Sequence, residues 1–334
     1  MVLWILVVLI PSNGRNRNAK TRRGVLSLVA AIGHEWITHR FDAPISKSEL
    51  DGTIHQVISE KGHVQPGMFV THFDGHISTI GALGAIGIGI RNSMIEAFAT
   101  EEVSLVVPPS VRINLEGKLQ RGVTSRDVFH WIVREIGPDG CRQAVIEYGG
   151  KGLNSLDMDE RFTLCNLAMF LGGISAVMET DEKTHDYLLQ TTGKEHPAMA
   201  PDPGARYQKE VTINLSDVEP VLVAPPSPAN TIPISEALGV RIDSGYIGSC
   251  ASGRIKDFEQ ALEILEGRRI AEGFRLNAVP TTTAIQAQMS ELGLTPKLIR
   301  AGAQVHVSTC DFCIGQMGAL TGFLEGMGTT NAIL

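Results

Sequence analysis

The sequence predicts an α/β protein in which parallel sheets are flanked by helices. Two observations carry this. From Ser244 onward, short apolar strands alternate with amphipathic helices, and strand–helix alternation at that spacing gives parallel strands joined by crossover helices. The composition, 43% hydrophobic and 19% charged, supplies ample apolar material for a core and excludes a disordered chain. At 334 residues, and with roughly 150 residues per domain, two or three domains are expected.

In chain order, Val2 to Ile10 is an unbroken apolar run. It is too short to cross a bilayer, which takes about 20 residues, and no basic segment precedes it as in a signal peptide. It reads as a buried strand or an irregular leader and not as a membrane anchor, and no targeting segment is expected. Ser110 to Leu119 alternates, with Val111, Ile113 and Leu115 on one face and Arg112, Asn114 and Glu116 on the other. This predicts a half-exposed strand ending at Glu116-Gly117. Thr124 opens a helix with Asp127 as its capping-box partner, Val128, Ile132 and Val133 as its apolar stripe, and Gly137-Pro138 as its stop. From Gln190 to Ile234 prolines crowd the chain, and a domain boundary is expected near residue 206.

Beyond it the expected elements are a strand over Ser244 to Gly248, a helix over Lys256 to Glu266 and a strand over Phe274 to Val279. Helices over Thr282 to Leu292 and Pro296 to Ala301 follow, then a strand over Gln304 to Val307.

Thirty-six acidic residues against 29 basic ones give a net charge of −7. No basic excess drives phosphate binding, and aromatics at 5% offer few base-stacking platforms, so nucleic acid is not expected as a partner. Five cysteines in a chain this long are not a disulfide framework and fit a reduced, cytoplasmic protein. No membrane association is expected.

In parallel α/β sheets the loops at strand carboxyl ends build the site. Those loops carry Cys250, after Gly245-Tyr-Ile-Gly-Ser, and Cys310 and Cys313, after Val305-His-Val-Ser-Thr. A Cys-x-x-Cys pair alone leaves three options open: a redox pair, zinc or a cluster. A redox pair needs no distant third thiol. Zinc wants a fourth ligand, for which His306 is the local candidate, although alternation would send Val305 and Val307 into the core opposite it. Three thiolates suit an iron–sulfur cubane with one iron left open. Cys141 and Cys165 read as buried thiols. The spacing Gly84-x-x-Gly87-x-Gly89 is not a dinucleotide fingerprint, and close packing accounts for the glycine run from Gly81 to Gly89.

Taken together, these residues resemble the aconitase superfamily, and within it the 3-isopropylmalate dehydratase large subunits and their homoaconitase-like relatives. The likeness rests on Gly245-Tyr-Ile-Gly-Ser-Cys250-Ala-Ser-Gly-Arg254-Ile-Lys-Asp with Cys310-x-x-Cys313-x-Gly315, and on Gly52-Thr-Ile-His55-Gln56-Val. It continues in Asp74-Gly75-His76-Ile-Ser-Thr-Ile-Gly81, Gly122-Val-Thr-Ser-Arg-Asp127, Val145-Ile-Glu-Tyr148-x-Gly150 and Thr163-Leu-Cys-Asn166-Leu-Ala168. It runs from His34 to Asn331.

The resemblance implies an aconitase-like three-domain core around a central cluster site, with the swivel domain absent. The domains would span 1–109, 110–205 and 206–334, the last carrying the cysteines. It implies a hydro-lyase that isomerises a small hydroxy-di- or tricarboxylate by dehydration and rehydration, as in leucine biosynthesis. Cys250, Cys310 and Cys313 would hold a 4Fe–4S cluster, and Asn166 would bind near it. His55, Asp74 and His76 match catalytic positions, and a small swivel-domain subunit is the implied partner.

The chain departs from the pattern in four places. Gly75 stands where the family has serine. Phe170 stands where it has the glutamate that partners the histidine matching His76. An upstream Asp-His pair is missing, and the arginine-bearing substrate clamp is present only as Thr330-Asn331. These departures raise an alternative: a non-catalytic relative with a structural or regulatory role.

Overall fold

A computed structural model describes residues 6–9, 52–93, 103–224, 227, 229–310 and 331–333. Cys313, Gly315 and Thr330 lie outside them. The chain forms two compact units, Met1–Ile45 with Ile58–Ala237, and Ser46–Val57 with Leu238–Leu334.

The first unit holds two main sheets. In one, β1 (Leu6–Leu9) pairs antiparallel with β2 (Phe69–His72), which pairs in parallel with β3 (Ile86–Gly89). Within the apolar run near the amino terminus, Leu6–Leu9 thus form a strand; the rest of the run lies outside the described residues. A 3-10 helix, Gly75–Leu83, links β2 to β3 and is buried from Ile77 onward. The glycine run is packing: a Cβ on Gly81 would fall 1.9 Å from the Ala176 carbonyl oxygen, and one on Gly87 would fall 2.3 Å from that of Ile77. Backbone lies on backbone, which only glycine permits.

The second sheet has the order β6-β5-β4-β7 and is parallel throughout, built from β4 (Ser110–Glu116), β5 (Val145–Gly149), β6 (Ser175–Met178) and β7 (Lys209–Asn214). The two sheets fall on either side of residue 109. β4 ends at Glu116 as its sequence predicts, but its polar face is only partly exposed, at Asn114 and Glu116. It is an interior strand, and parallel sheets are covered on both faces. Arg112, on the supposedly wet face, is only 9% exposed and is paired with Glu179 and Asn114.

The predicted capping box opens the helix Ser125–Ile136, with Thr124 and Asp127 bonded reciprocally and Gly137 closing it at φ +82°. A second box, Asp157 with Glu160, opens the helix Met158–Asn166. The helix Glu182–Thr192 follows. The proline-rich stretch contains β7 and, after it, a short antiparallel pair, β8 (Val221–Val223) with β9 (Thr231–Pro233).

The second unit is the parallel α/β sheet its sequence predicts. Its order is β12-β11-β10-β13, from β10 (Ser244–Gly248), β11 (Arg275–Val279), β12 (Gln304–Val305) and β13 (Asn331–Ile333). The helices Ile255–Leu265, Thr283–Glu291 and Leu294–Ala301 pack on it through Phe258, Leu262, Met289 and Leu298, which meet Ile247 and Ala278 of the strands. β12 is shorter than predicted, so Val307 is 59% exposed and not in the core. The helix Ile54–Glu60 begins in this unit. Among the described residues no helix is long and apolar enough to cross a membrane.

Candidate active site

In the second unit, the site is built from the turn that follows β10. Gly248 and Ser249 reverse the chain with φ of +139° and +75°. Ser249 is a non-glycine residue in the left-handed region, a conformation that costs about 1–2 kcal/mol and persists only when neighbours enforce it. The neighbours are visible. The Thr281 hydroxyl bonds the carbonyls of Ser249 and Ser252 at 3.0 and 3.1 Å. Asp257 accepts from the backbone N–H groups of Gly253 and Arg254 at 2.8 and 2.9 Å.

Arg254 is buried. Its Nη2 donates to the Cys250 carbonyl at 3.2 Å and its Nη1 to that of Ala251 at 3.3 Å. Cys250 is buried in this frame, with the Ser249 Oγ 3.8 Å from its sulfur.

The same frame holds the Gly52–Gln56 segment. Thr53 donates its N–H to the Thr281 carbonyl at 2.9 Å. Gln56 accepts from Arg254 Nε and Nη2. His55, between them, is buried at the start of the helix Ile54–Glu60. Cys310, half-buried, lies 3.6 Å from the Thr53 Oγ1 through its sulfur. Cys250 and Cys310 therefore both follow carboxyl ends of parallel strands in one sheet, where α/β proteins place their ligands.

Among the described residues no three His, Cys, Asp or Glu side chains assemble a metal site; Cys313, three residues past Cys310, lies outside them. The donor chemistry fits a sulfur-ligated iron group. Both thiols have a hydroxyl within bonding reach, and soft thiolates select such centres. His306 has its Nε2 bonded to the Asn277 Oδ1 at 2.8 Å, and burial lowers its pKa.

In the first unit, Asp74 caps the 3-10 helix by accepting the His76 N–H at 3.2 Å. Its two oxygens also lie 3.2 and 3.3 Å from the His76 Nδ1. A carboxylate there holds the proton on Nδ1, the tautomer in which Nε2 can accept one. Asn166, fully buried, donates through Nδ2 to the Thr79 Oγ1 at 2.7 Å, and Thr79 donates to the His76 carbonyl at 2.7 Å. Because Thr79 spends its one proton on that carbonyl, it must accept from Asn166, which fixes the amide's orientation. The structure thus brings Asp74, His76 and Asn166 into one network. The departures sit beside it: the Phe170 ring faces His76, and a Cβ on Gly75 would fall 2.8 Å from the Met169 Cε.

The chain matches the aconitase family (aconitate hydratase) over residues 29–239 and 236–332. It belongs to the aconitase family. It is 37% identical to the 3-isopropylmalate dehydratase large subunit 1 of Methanopyrus kandleri, over 90% of this chain and 71% of that protein. It is 34% identical to the probable methanogen homoaconitase large subunit of Methanothermobacter thermautotrophicus, over 84% of this chain and 66% of that one. Among solved structures, the holo-form of Thermococcus kodakaraensis aconitase X aligns with a TM-score of 0.46 and 13% identity, over 96% of this chain and 71% of that one.

This aconitase-family chain also uses residues that sequence reasoning did not single out. Thr53, Thr281 and the side-chain role of Arg254 emerge only from contacts between segments far apart in sequence. Arg254 stands inside the motif around Cys250, so a cation four residues after a candidate ligand was the available signal. Cys141 and Cys165 are buried thiols as expected. Burial raises both pKa values, that of Cys141 to about 11, with Lys209 opposing.

Proposed function

We propose that the protein is the large subunit of an iron–sulfur hydro-lyase that isomerises a small hydroxy-di- or tricarboxylate, of the 3-isopropylmalate type, by dehydration and rehydration. The observation that carries this reading is the placement of Cys250 and Cys310 beyond the ends of parallel strands in one sheet, in the same frame that holds His55. Cys250, Cys310 and Cys313 would hold a 4Fe–4S cluster, which supplies an open Lewis-acidic iron for the substrate's hydroxyl and carboxylate.

The chain's own part is proton handling and positioning. Asp74 keeps the proton on the His76 Nδ1, so that Nε2 exchanges protons with the departing or returning water. His55 is the further acid–base residue, and Asn166 steadies the His76 backbone through Thr79. The large-subunit relatives support a small-subunit partner that carries the swivel domain. A cytoplasmic setting, a place in leucine biosynthesis and the division into 1–109, 110–205 and 206–334 belong to the same proposal.

Anaerobic reconstitution with iron and sulfide tests the ligand set. The wild-type chain should gain broad visible absorbance, and Cys250→Ser should lose most of it. Unchanged cluster content in Cys250→Ser would overturn the assignment.

A second reading, a non-catalytic relative, is favoured by the apolar Phe170 ring beside His76 and by Met169 against Gly75. Alkene formation, followed in the ultraviolet with a cognate small subunit present, separates the two. Robust turnover removes the second reading.

A further inference from the structure

Thr53 occupies a position that the Gly-x-x-His-Gln pattern leaves unspecified, yet its surroundings fix it closely. Its N–H is given to the Thr281 carbonyl at 2.9 Å, and its own carbonyl accepts the N–H groups of Gln56 and Val57, both at 3.0 Å. Gly52 before it lies so close to the neighbouring loops that a Cβ there would fall 2.5 Å from the Thr281 carbonyl oxygen and 3.1 Å from the Ser308 Cβ. The backbone therefore cannot shift, and a β-branched side chain has little χ1 freedom. Thr53 is 4% exposed, so bulk water competes poorly for its hydroxyl. That hydroxyl lies 3.6 Å from the Cys310 sulfur, within sulfur hydrogen-bond range.

We infer that Thr53 is a positioning residue of the cysteine site, whose hydroxyl donates a hydrogen bond to the Cys310 thiolate and raises the reduction potential of the iron–sulfur group held there. The inference rests on the proposal that Cys310 is a cluster ligand. A thiol and a hydroxyl can each donate, but a metal-bound thiolate has no proton, so the direction is then set: Thr53 donates. Such a bond withdraws electron density from sulfur and stabilises the reduced, more negative state, one of the levers by which proteins set these potentials.

The test compares wild type, Thr53→Val, which keeps the shape and loses the hydroxyl, and Thr53→Ser, which keeps the hydroxyl. Each is reconstituted anaerobically and titrated for its midpoint potential. At a fixed applied potential, Thr53→Val should lower the reduced-to-oxidised ratio about tenfold, roughly 59 mV for a one-electron couple. Thr53→Ser should stay within about threefold of wild type.

A second measurement reads the bond directly. In deuterated buffer, pulsed electron resonance of the reduced wild-type protein should detect an exchangeable deuteron coupled to the cluster, and Thr53→Ala should lose it. Equal potentials in wild type and Thr53→Val at equal cluster content would overturn the inference while leaving the cluster proposal intact. So would a deuteron signal that survives in Thr53→Ala. A wild-type chain that takes up no cluster would overturn both.

Discussion

Arg254 donates twice to a single oxygen, the Gln56 Oε1, from Nε at 3.2 Å and from Nη2 at 3.1 Å. Both side chains are buried, and the same guanidinium also bonds the Cys250 and Ala251 carbonyls. One side chain thus joins the helix that carries His55 to the loop that carries Cys250. Removing it leaves at least three buried acceptors without these donors. Arg254→Met should therefore cost about 3–5 kcal/mol of stability, and Gln56→Leu about 1–3 kcal/mol. The double variant should cost less than their sum by roughly 1–2 kcal/mol. Urea denaturation of the four proteins measures this, and strict additivity would contradict the clamp.

The glycine run offers a sharper steric contrast. Gly81→Ala would drive a methyl group to 1.9 Å from the Ala176 carbonyl oxygen, so backbone must move, at a cost of about 3 kcal/mol or more. Gly193 has φ +69° but nothing within 4 Å of an added Cβ, and Gly193→Ala should cost only the conformational penalty, about 1–2 kcal/mol. Similar losses in both would refute the packing explanation.

Stability should fall in acid through two groups. Burial, with Arg126 nearby, pulls the His130 pKa down from 6.5 to about 4. Between those values the unfolded chain binds a proton that the folded chain does not. The His130 contribution is thus complete above about pH 6.5, shrinks as pH falls towards 4, and totals on the order of 3 kcal/mol. For Asp181, burial alone would raise the pKa, but the hydrogen bonds and charge of Arg161, with Thr184 assisting, outweigh it and hold the carboxyl below its usual range. Its contribution is present above the ordinary carboxylate pKa and is lost at still lower pH. His130→Gln should flatten the slope of denaturation free energy from pH 6.5 to 4 and leave the lower branch. Calorimetry across that range checks it.

The Phe170 ring stands 6.3 Å from that of His76, tilted by 55°, and is 37% exposed. A carboxylate can be placed there without opening a buried cavity. Under the proposed function, Phe170→Glu should raise turnover with the small subunit roughly tenfold by strengthening proton handling at His76. Lower turnover in Phe170→Glu than in Phe170→Leu would mean that the ring itself serves the site.

Thiol reactivity should separate the cysteines. Cys141 and Cys165 are buried, and burial holds their pKa values high, about 11 for Cys141. Iodoacetamide at pH 8 should spare both in the folded apo-protein and modify the half-buried Cys310 at least tenfold faster. Peptide mass spectrometry reads the result. Rapid labelling of Cys165 would contradict its burial.

The legible parts of this protein are those decided locally. Thr124 with Asp127 marks a helix start through bonds three residues apart, and the alternation from Ser244 onward predicts the parallel sheet with its ends displaced by a residue or two. The illegible parts depend on what packs over a strand or loop. Arg112 reads as exposed because alternation reports period and not coverage, and the partner that buries its charge, Glu179, lies on another strand's end. Val307 reads as core because nothing in its neighbours shows that β12 stops at Val305. The motifs that make His55, Asp74, His76, Cys250 and Cys310 candidates were legible in the sequence. The bonds that hold them were not. Thr53 with Cys310 and Gln56 with Arg254 are separated by 257 and 198 residues, and no periodicity spans such distances.

The second compact unit takes residues 46–57 from one end of the chain and residues 238–334 from the other. During synthesis, Gln56 leaves the ribosome 198 residues before Arg254. At 5–20 residues per second, it waits roughly 10–40 s for its partner. Over that interval the buried side chains of Ile54, His55, Gln56 and Val57 lack the rest of their unit. The nascent chain should therefore be most prone to chaperone capture and aggregation late in translation. A carboxyl-terminal fragment beginning at 238 should fold only when a peptide spanning 46–57 is supplied to it.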